Sequence, residues 1–221
     1  AAALYQEARP SYPPTLIEVL QSELALAKHA QLLDLGSGTG KFLPYLKALG
    51  TDHHILALDP VAEMLAQLKQ VHADVDCIQA TSDAMPINDQ SIDAICCAQS
   101  FHWFANPASL KEIHRILKED SHLVLVWNQR DIEVSWVKAL ADLIYPFEGN
   151  TPRYHSDAWR EVFQDQTLFQ LHAEYRFDHV HSGSVEQVVS KRLLSTSFIA
   201  AMPSTQQQAL KQQFEQIVLD A

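Results

Sequence analysis

Glycine is scarce in this chain, six in 221 residues, and three of the six (Gly36, Gly38 and Gly40) fall within five positions. A sequence that otherwise avoids the residue has a local need for backbone freedom there. Cysteine is scarcer still. Cys77, Cys96 and Cys97 make an odd set, two of them adjacent in an apolar run, which argues against a disulfide framework and for the reduced core thiols of a cytoplasmic protein. Positive charge is short as well: 16 Lys and Arg face 27 Asp and Glu, for a formal net charge of -11. Without a basic stripe, neither nucleic acid nor an anionic membrane surface is an expected partner. No apolar run reaches the roughly 18–20 residues of a membrane span. The opening AAALYQEARP starts without Met and has no basic segment leading into an apolar one, so no export signal is expected.

What is present suits one α/β core. The 47% hydrophobic content over 221 residues fills one such core and is too little for two. Residues 15–28 read as an amphipathic helix, with Leu16, Val19, Leu20 and Leu24 along one stripe. QLLDLGSGTG is a short strand that ends at Asp34 or Leu35 and runs into the glycines, and KFLPYLKAL is a helix with Pro44 near its first turn. Strand HILALD, helix VAEMLAQLKQVH, strands VDCIQA and SIDAICCA, helix NPASLKEIHRILK capped by Asn106, and strand SHLVLVWN follow. The alternation predicts βαβ crossovers and a doubly wound, mainly parallel sheet with flanking helices. Beyond it VSWVKALADLIYPF reads as a helix. LFQLHAEYRFDHV then alternates, with Phe169, Leu171, Ala173, Tyr175 and Phe177 on one face, which predicts a strand near a sheet edge. Helical stretches at 184–198 and 204–219 end the chain.

Three glycine patterns compete at the first strand's end. A dinucleotide fingerprint, GxGxxG, needs glycine at position 41, where Lys41 stands. A phosphate-binding P-loop needs glycine and Ser or Thr where Leu35 and Phe42 stand. An acid followed by three alternate glycines, Asp34-Leu35-Gly36-Ser37-Gly38-Thr39-Gly40, matches in full; a tight turn without a ligand stays open beside it. Asp59 ends the second strand, where a carboxylate can accept from both hydroxyls of a ribose or cap the helix that begins near Pro60.

The Asp34–Gly40 pattern resembles motif I of the class I S-adenosylmethionine-dependent methyltransferases. From about Tyr5 to Arg130 the chain resembles their type 11, ubiquinone/menaquinone methylase-like branch. YQEARPSYP before the first helix and AQSFHWF after the fourth strand are similar to the trans-aconitate methyltransferase-like proteins. The resemblance implies a Rossmann-like α/β fold whose last strands pair antiparallel. Six strands are placed here against the family's seven, so the final one is expected to be missing.

It also implies a layout over 1–221 as a single domain: a lid arm at 1–14, a cofactor-binding core at 29–130, and substrate-side helices and edge strand at 131–221. S-adenosyl-L-methionine would be held by Asp34, Gly36, Ser37, Gly38 and Gly40, by Asp59 and Pro60, and by Gln99. Ser82, Asp83 and Ala84, with Met85, would take the adenine, and Tyr5 and Arg9 would close over the cofactor. His102 would position the acceptor or act as a base, with Tyr12, Trp103 and Tyr154 on the substrate side; Arg153, His155 and Trp159 share that region. The implied reaction is in-line methyl transfer to a small-molecule acceptor, a carboxylate or another O, N or C nucleophile, with S-adenosyl-L-homocysteine as product. A base is needed only where the acceptor has a proton to lose. No HExxH or CxxC pattern suggests a metal. An NAD-dependent oxidoreductase and a non-catalytic S-adenosylmethionine-binding protein on the same fold are the alternatives.

Overall fold

The computed structural model describes residues 7–221. They fall into two compact units, one of residues 11–127 and 152–179, the other of residues 7–10, 128–151 and 180–221.

The larger unit is built on five parallel strands, β1 (Gln31–Leu35), β2 (His54–Leu58), β3 (Asp76–Ile78), β4 (Ile92–Ala98) and β5 (Leu117–Val126), in the order β3-β2-β1-β4-β5. Side chains alternate across each strand, so β1 and β4 feed two cores. Leu32, Ala94 and Cys96 pack with α1 (Thr15–Leu24), α2 (Leu43–Lys47) and α3 (Ala62–Val71). Leu33, Leu35, Ile95 and Cys97 pack with α4 (Pro107–Ile116), Phe101 and Trp159. Helices on both faces of a parallel sheet are the doubly wound arrangement read from the alternation, and the Rossmann-like fold that the resemblance implies. Asn106 caps α4 as expected, its Oδ1 accepting from the Ser109 N–H at 3.0 Å. The left-handed Ala25 (φ 41°) ends α1 four residues before the expected position.

The predicted antiparallel strand over LFQLHAEYRFDHV is not formed; residues 167–182 make no ladder. The alternation is real, but neither face is covered, with Leu171 76% and Val180 81% exposed. Side chains hold the segment instead. The Tyr175 hydroxyl donates to Glu23 at 2.6 Å, His172 pairs with the same carboxylate at 3.2 Å, and Phe169 meets His114 edge-on. Alternation reports how side chains are spaced and says nothing of a free edge to pair with.

The smaller unit is helical. α5 (Ser135–Ile144), a π-helical turn at Glu186–Lys191 and α6 (Ser204–Leu219) bury Leu140, Ile144, Val189, Leu193, Ile199, Leu210 and Phe214 together. Among the described residues no helix is long and apolar enough to cross a membrane.

Candidate functional site

The chain builds β1, β2 and β3 outward in one direction, then crosses back to place β4 on the other side of β1. The sheet's switch point therefore lies between the carboxyl ends of β1 and β4, where open α/β sheets bind ligands. Both loops there are held tightly. The Gly36 and Ser37 N–H groups both donate to the Leu58 carbonyl, at 2.8 and 3.1 Å. Gly36 has φ +70°, and a β-carbon on it would lie 2.5 Å from Ser100 Cβ. Only glycine lets the two strand ends meet this closely. Ser100 Oγ donates to the Leu35 carbonyl at 2.7 Å and completes the junction. Gly40 packs under His72, Leu43 and Leu68, whereas a β-carbon on Gly38 (φ +53°) would meet nothing within 4 Å. The turn is thus closed at both ends and open in its middle.

Around that opening stand two carboxylates and a hydroxyl. Asp34, in the middle of the sheet and 1% exposed, leaves Oδ2 without a hydrogen-bond partner, and Ser37 Oγ is likewise buried and unpartnered. Burial, and then the Asp59 carboxylate, raise the Asp34 carboxyl to about 8. Asp59 Oδ2 accepts from the Gly38 N–H at 2.8 Å and Oδ1 from the Val61 N–H at 2.9 Å. Its carboxyl is also raised, because desolvation outweighs those two bonds. Buried polar atoms without partners are rare, and each needs a reason. These two belong to the end of β1 and the turn that leads into Gly38.

Beyond β3, Ser82, Asp83 and Ala84 lie on a loop clipped to α4. Ser82 Oγ shares a 2.7 Å hydrogen bond with Ser109 Oγ, and Glu112 accepts from the Met85 N–H at 2.9 Å. Arg115 donates to the carbonyls of Met85 (3.1 Å) and Ile87 (2.9 Å) and pairs with Glu112 and Asp89. Asp83 and Ala84 stay exposed, as does Pro60 beside Asp59, while the Met85 side chain is buried in the α4-side core. The Arg115–Glu112 clip was not singled out from the sequence.

After β4, Gln99 takes a left-handed backbone (φ +59°), and its N–H donates to the Val126 carbonyl at 2.8 Å. The chain then makes a 3-10 turn over Phe101–Trp103. His102 is half-buried, and burial, then the Arg153 cation, lower its titration to about 4. Its Nδ1 accepts a 3.1 Å hydrogen bond from Trp127 Nε1, a partner sequence reasoning missed. The missed signal was an indole closing β5, the strand beside β4. Trp127 in turn lies tilted against Tyr154 (4.8 Å) and Trp159 (4.5 Å), and Trp103 is 51% exposed.

Of the N-terminal residues expected at the site, Arg9 and Tyr12 are described. Tyr5 lies outside the described residues. The Arg9 guanidinium donates to the Ser195 carbonyl at 2.9 Å within the smaller unit. Tyr12 is buried edge-on against Phe42 and Tyr45, its carbonyl accepting from the Tyr45 hydroxyl at 2.6 Å. It anchors the segment that leads into α1.

A family model described as a methyltransferase domain matches residues 33–125, from β1 through β5. An uncharacterized methyltransferase-like protein of Schizosaccharomyces pombe is 33% identical over 213 residues, which cover 96% of this chain and 82% of that one. A malonyl-[acyl-carrier protein] O-methyltransferase of a Marinomonas species is 28% identical over 118 residues, 51% of this chain and 43% of that protein. Among solved structures, a protein of Methanococcus maripaludis assigned as an S-adenosyl-L-methionine-dependent methyltransferase superposes with a TM-score of 0.54. Its identity is 21%, over 74% of this chain and 76% of that one, and the likeness is one of fold. With a third of its residues shared across nearly its whole length, this chain belongs to the methyltransferase family.

Proposed function

We propose that this chain transfers a methyl group from S-adenosyl-L-methionine to a small-molecule acceptor. The observation that carries the reading is the pair of unpartnered buried atoms, Asp34 Oδ2 and Ser37 Oγ, beside the open middle of the glycine turn at Gly38. An amino-acid sulfonium suits that set: its ammonium answers Asp34, whose raised carboxyl gives up its proton as the cation arrives, and its chain passes the uncovered Gly38 backbone. Asp59 keeps a second lone pair on each oxygen after its two backbone bonds, which is what a ribose diol requires. Asp83 and Ala84 take the adenine edge, on a loop that Arg115 holds still.

When bound, the cofactor supplies a methyl carbon already activated by sulfonium; the acceptor's lone pair forms the new bond while the carbon–sulfur pair stays on sulfur. The protein's own work is to orient and to exclude water, a contribution that reaches roughly 7–11 kcal/mol of barrier in favourable cases. The Gln99 and Ser100 backbone would border the sulfonium end. His102, Trp103 and Tyr154 face the acceptor. The malonyl relative is named for O-methylation, which supports an oxygen acceptor here. A carboxylate is the simplest, since it has no proton to lose. The buried thiols Cys96 and Cys97 suit a reducing compartment.

Isothermal titration with S-adenosylmethionine, S-adenosylhomocysteine and NAD tests the cofactor: the first two bind and NAD does not. Radiolabelled methyl donor with a panel of carboxylates, phenols and amines then reads the acceptor. Binding without turnover across the panel would favour a non-catalytic protein on this fold.

A further inference from the structure

We infer that His102 meets the methyl acceptor as a hydrogen-bond donor through Nε2–H, its tautomer fixed by the Trp127 indole, and takes no proton during transfer. The inference rests on the methyl-transfer reading above and names what its acceptor side requires.

The argument is one of hydrogen-bond inventory. An indole nitrogen can only donate. Trp127 Nε1 lies 3.1 Å from His102 Nδ1, so Nδ1 must offer its lone pair. A neutral imidazole has one proton, and with Nδ1 accepting it sits on Nε2. The alternative tautomer and the imidazolium would both point an N–H at an N–H. Nε2 has no hydrogen-bond partner among the described residues, and the ring is half-buried on the loop that Ser100 fastens against Gly36.

The groups packed on His102 agree. Trp103 and Trp127 lie 5.4 and 6.4 Å from it by ring centroid, and Arg153 is the charged group that bears on it. A cation and an indole N–H both oppose a second proton, and among the described residues no carboxylate bears on the ring to favour one. Trp127 is itself fixed, between Tyr154 at 4.8 Å and the buried Trp159 at 4.5 Å. It is a positioning residue that acts through the imidazole.

A general base needs a lone pair aimed at the acceptor. The only ring lone pair here is engaged by the indole. Acceptors that arrive with a proton to lose therefore get no help from His102. Those with a bare lone pair for the methyl carbon and a further one for a donor gain a fixed orientation.

Nitrogen-15 NMR of the histidine-labelled full chain tests this, with His102 assigned by its loss in His102→Gln. The expected spectrum shows one neutral tautomer, protonated at Nε2, unchanged from pH 8 to pH 5. Trp127→Phe keeps a ring but removes the N–H, so the tautomers mix and the titration midpoint rises by about a unit or more. A proton on Nδ1 in the unmodified chain, or an unaltered tautomer and midpoint in Trp127→Phe, overturns the inference. Should Trp127→Phe fail to fold, the unmodified spectrum and a second pair of variants still decide. With the acceptor found by the panel, His102→Gln keeps an amide donor and kcat within ~10-fold, whereas His102→Ala loses ~10–100-fold, the worth of a hydrogen bond to a charged group. Equal losses in the two variants refute the donor role. Failure of S-adenosylmethionine to bind would instead strike the methyl-transfer reading, a result the tautomer spectrum does not affect.

Discussion

The Gly38 N–H donates to Asp59 Oδ2 at 2.8 Å, so one carboxylate at the end of β2 holds the middle of the glycine turn. Its other oxygen accepts from the N–H of Val61, the residue that precedes α3. Removing the carboxylate strands two donors. Asp59→Ala is expected to cost about 1–3 kcal/mol of stability, and the lost ribose contact should weaken S-adenosylmethionine by ~10–100-fold. Chemical denaturation and isothermal titration read the two effects separately. Unchanged affinity in a folded variant would remove the ribose assignment.

Gly36 and Gly38 are predicted to fail in opposite ways. Alanine at 36 is forced onto Ser100 Cβ and Oγ and must hold a positive φ, so Gly36→Ala should lower the melting temperature sharply. Gly36→Ala with Ser100→Gly should recover part of the loss, because the clash with Ser100 goes while the backbone cost, the close Phe104 ring and the lost Ser100–Leu35 hydrogen bond remain. Alanine at 38 meets open space and carries only the strain of its backbone, about 1–2 kcal/mol. Gly38→Ala should therefore stay folded yet bind S-adenosylmethionine poorly, since its methyl occupies the cradle. A Gly38→Ala variant with full affinity would move the ligand elsewhere.

The sheet was legible because β1, β2 and β4 are short apolar runs between clear breaks, and the glycines marked the switch point. Side-chain geometry decided the rest. LFQLHAEYRFDHV has a strand's period, but its hydrogen bonds run through Tyr175 and His172 to Glu23, a contact 149 or more positions away that no local pattern encodes. Trp127 was hidden for a similar reason. In sequence it merely ends an apolar strand, and only the β4–β5 pairing brings it to His102. Asp34 was read as a ligand residue from its motif, while its unpartnered oxygen depends on a burial that sequence cannot measure.

That burial gives Asp34 a pH signature. Folded, its carboxyl titrates near 8 against an ordinary 3.8. Between those values the folded chain keeps a proton that the unfolded chain has lost. Its contribution to stability is full below about pH 4 and falls as pH rises towards 8, by at most about 1.4 kcal/mol per unit. Asp34→Asn cannot ionise, so its melting temperature should exceed that of the unmodified chain most at pH 8 and converge with it toward pH 4. The same variant should bind S-adenosylmethionine more weakly, by roughly tenfold or more, for want of a charge to meet the ammonium. A melting difference independent of pH would show that Asp34 ionises in the fold as it does in water.

Gln99 separates a backbone role from a side-chain role at the same site. Its left-handed φ of +59° costs about 1–2 kcal/mol in any residue but glycine. Glycine relieves that cost but gives up roughly 0.5–1 kcal/mol to its freer unfolded chain. Gln99→Gly is thus expected to melt near the unmodified protein, and Gln99→Val, β-branched at the same φ, well below it. The 2.8 Å bond from its N–H to the Val126 carbonyl survives either change, so the loop keeps its path. If the peptide carbonyls of Gln99 and Ser100 are what border the sulfonium end, Gln99→Gly should bind S-adenosylmethionine within about threefold of the unmodified chain, less than one hydrogen bond's worth. A loss of tenfold or more with an unchanged melt would give the Gln99 amide itself the contact.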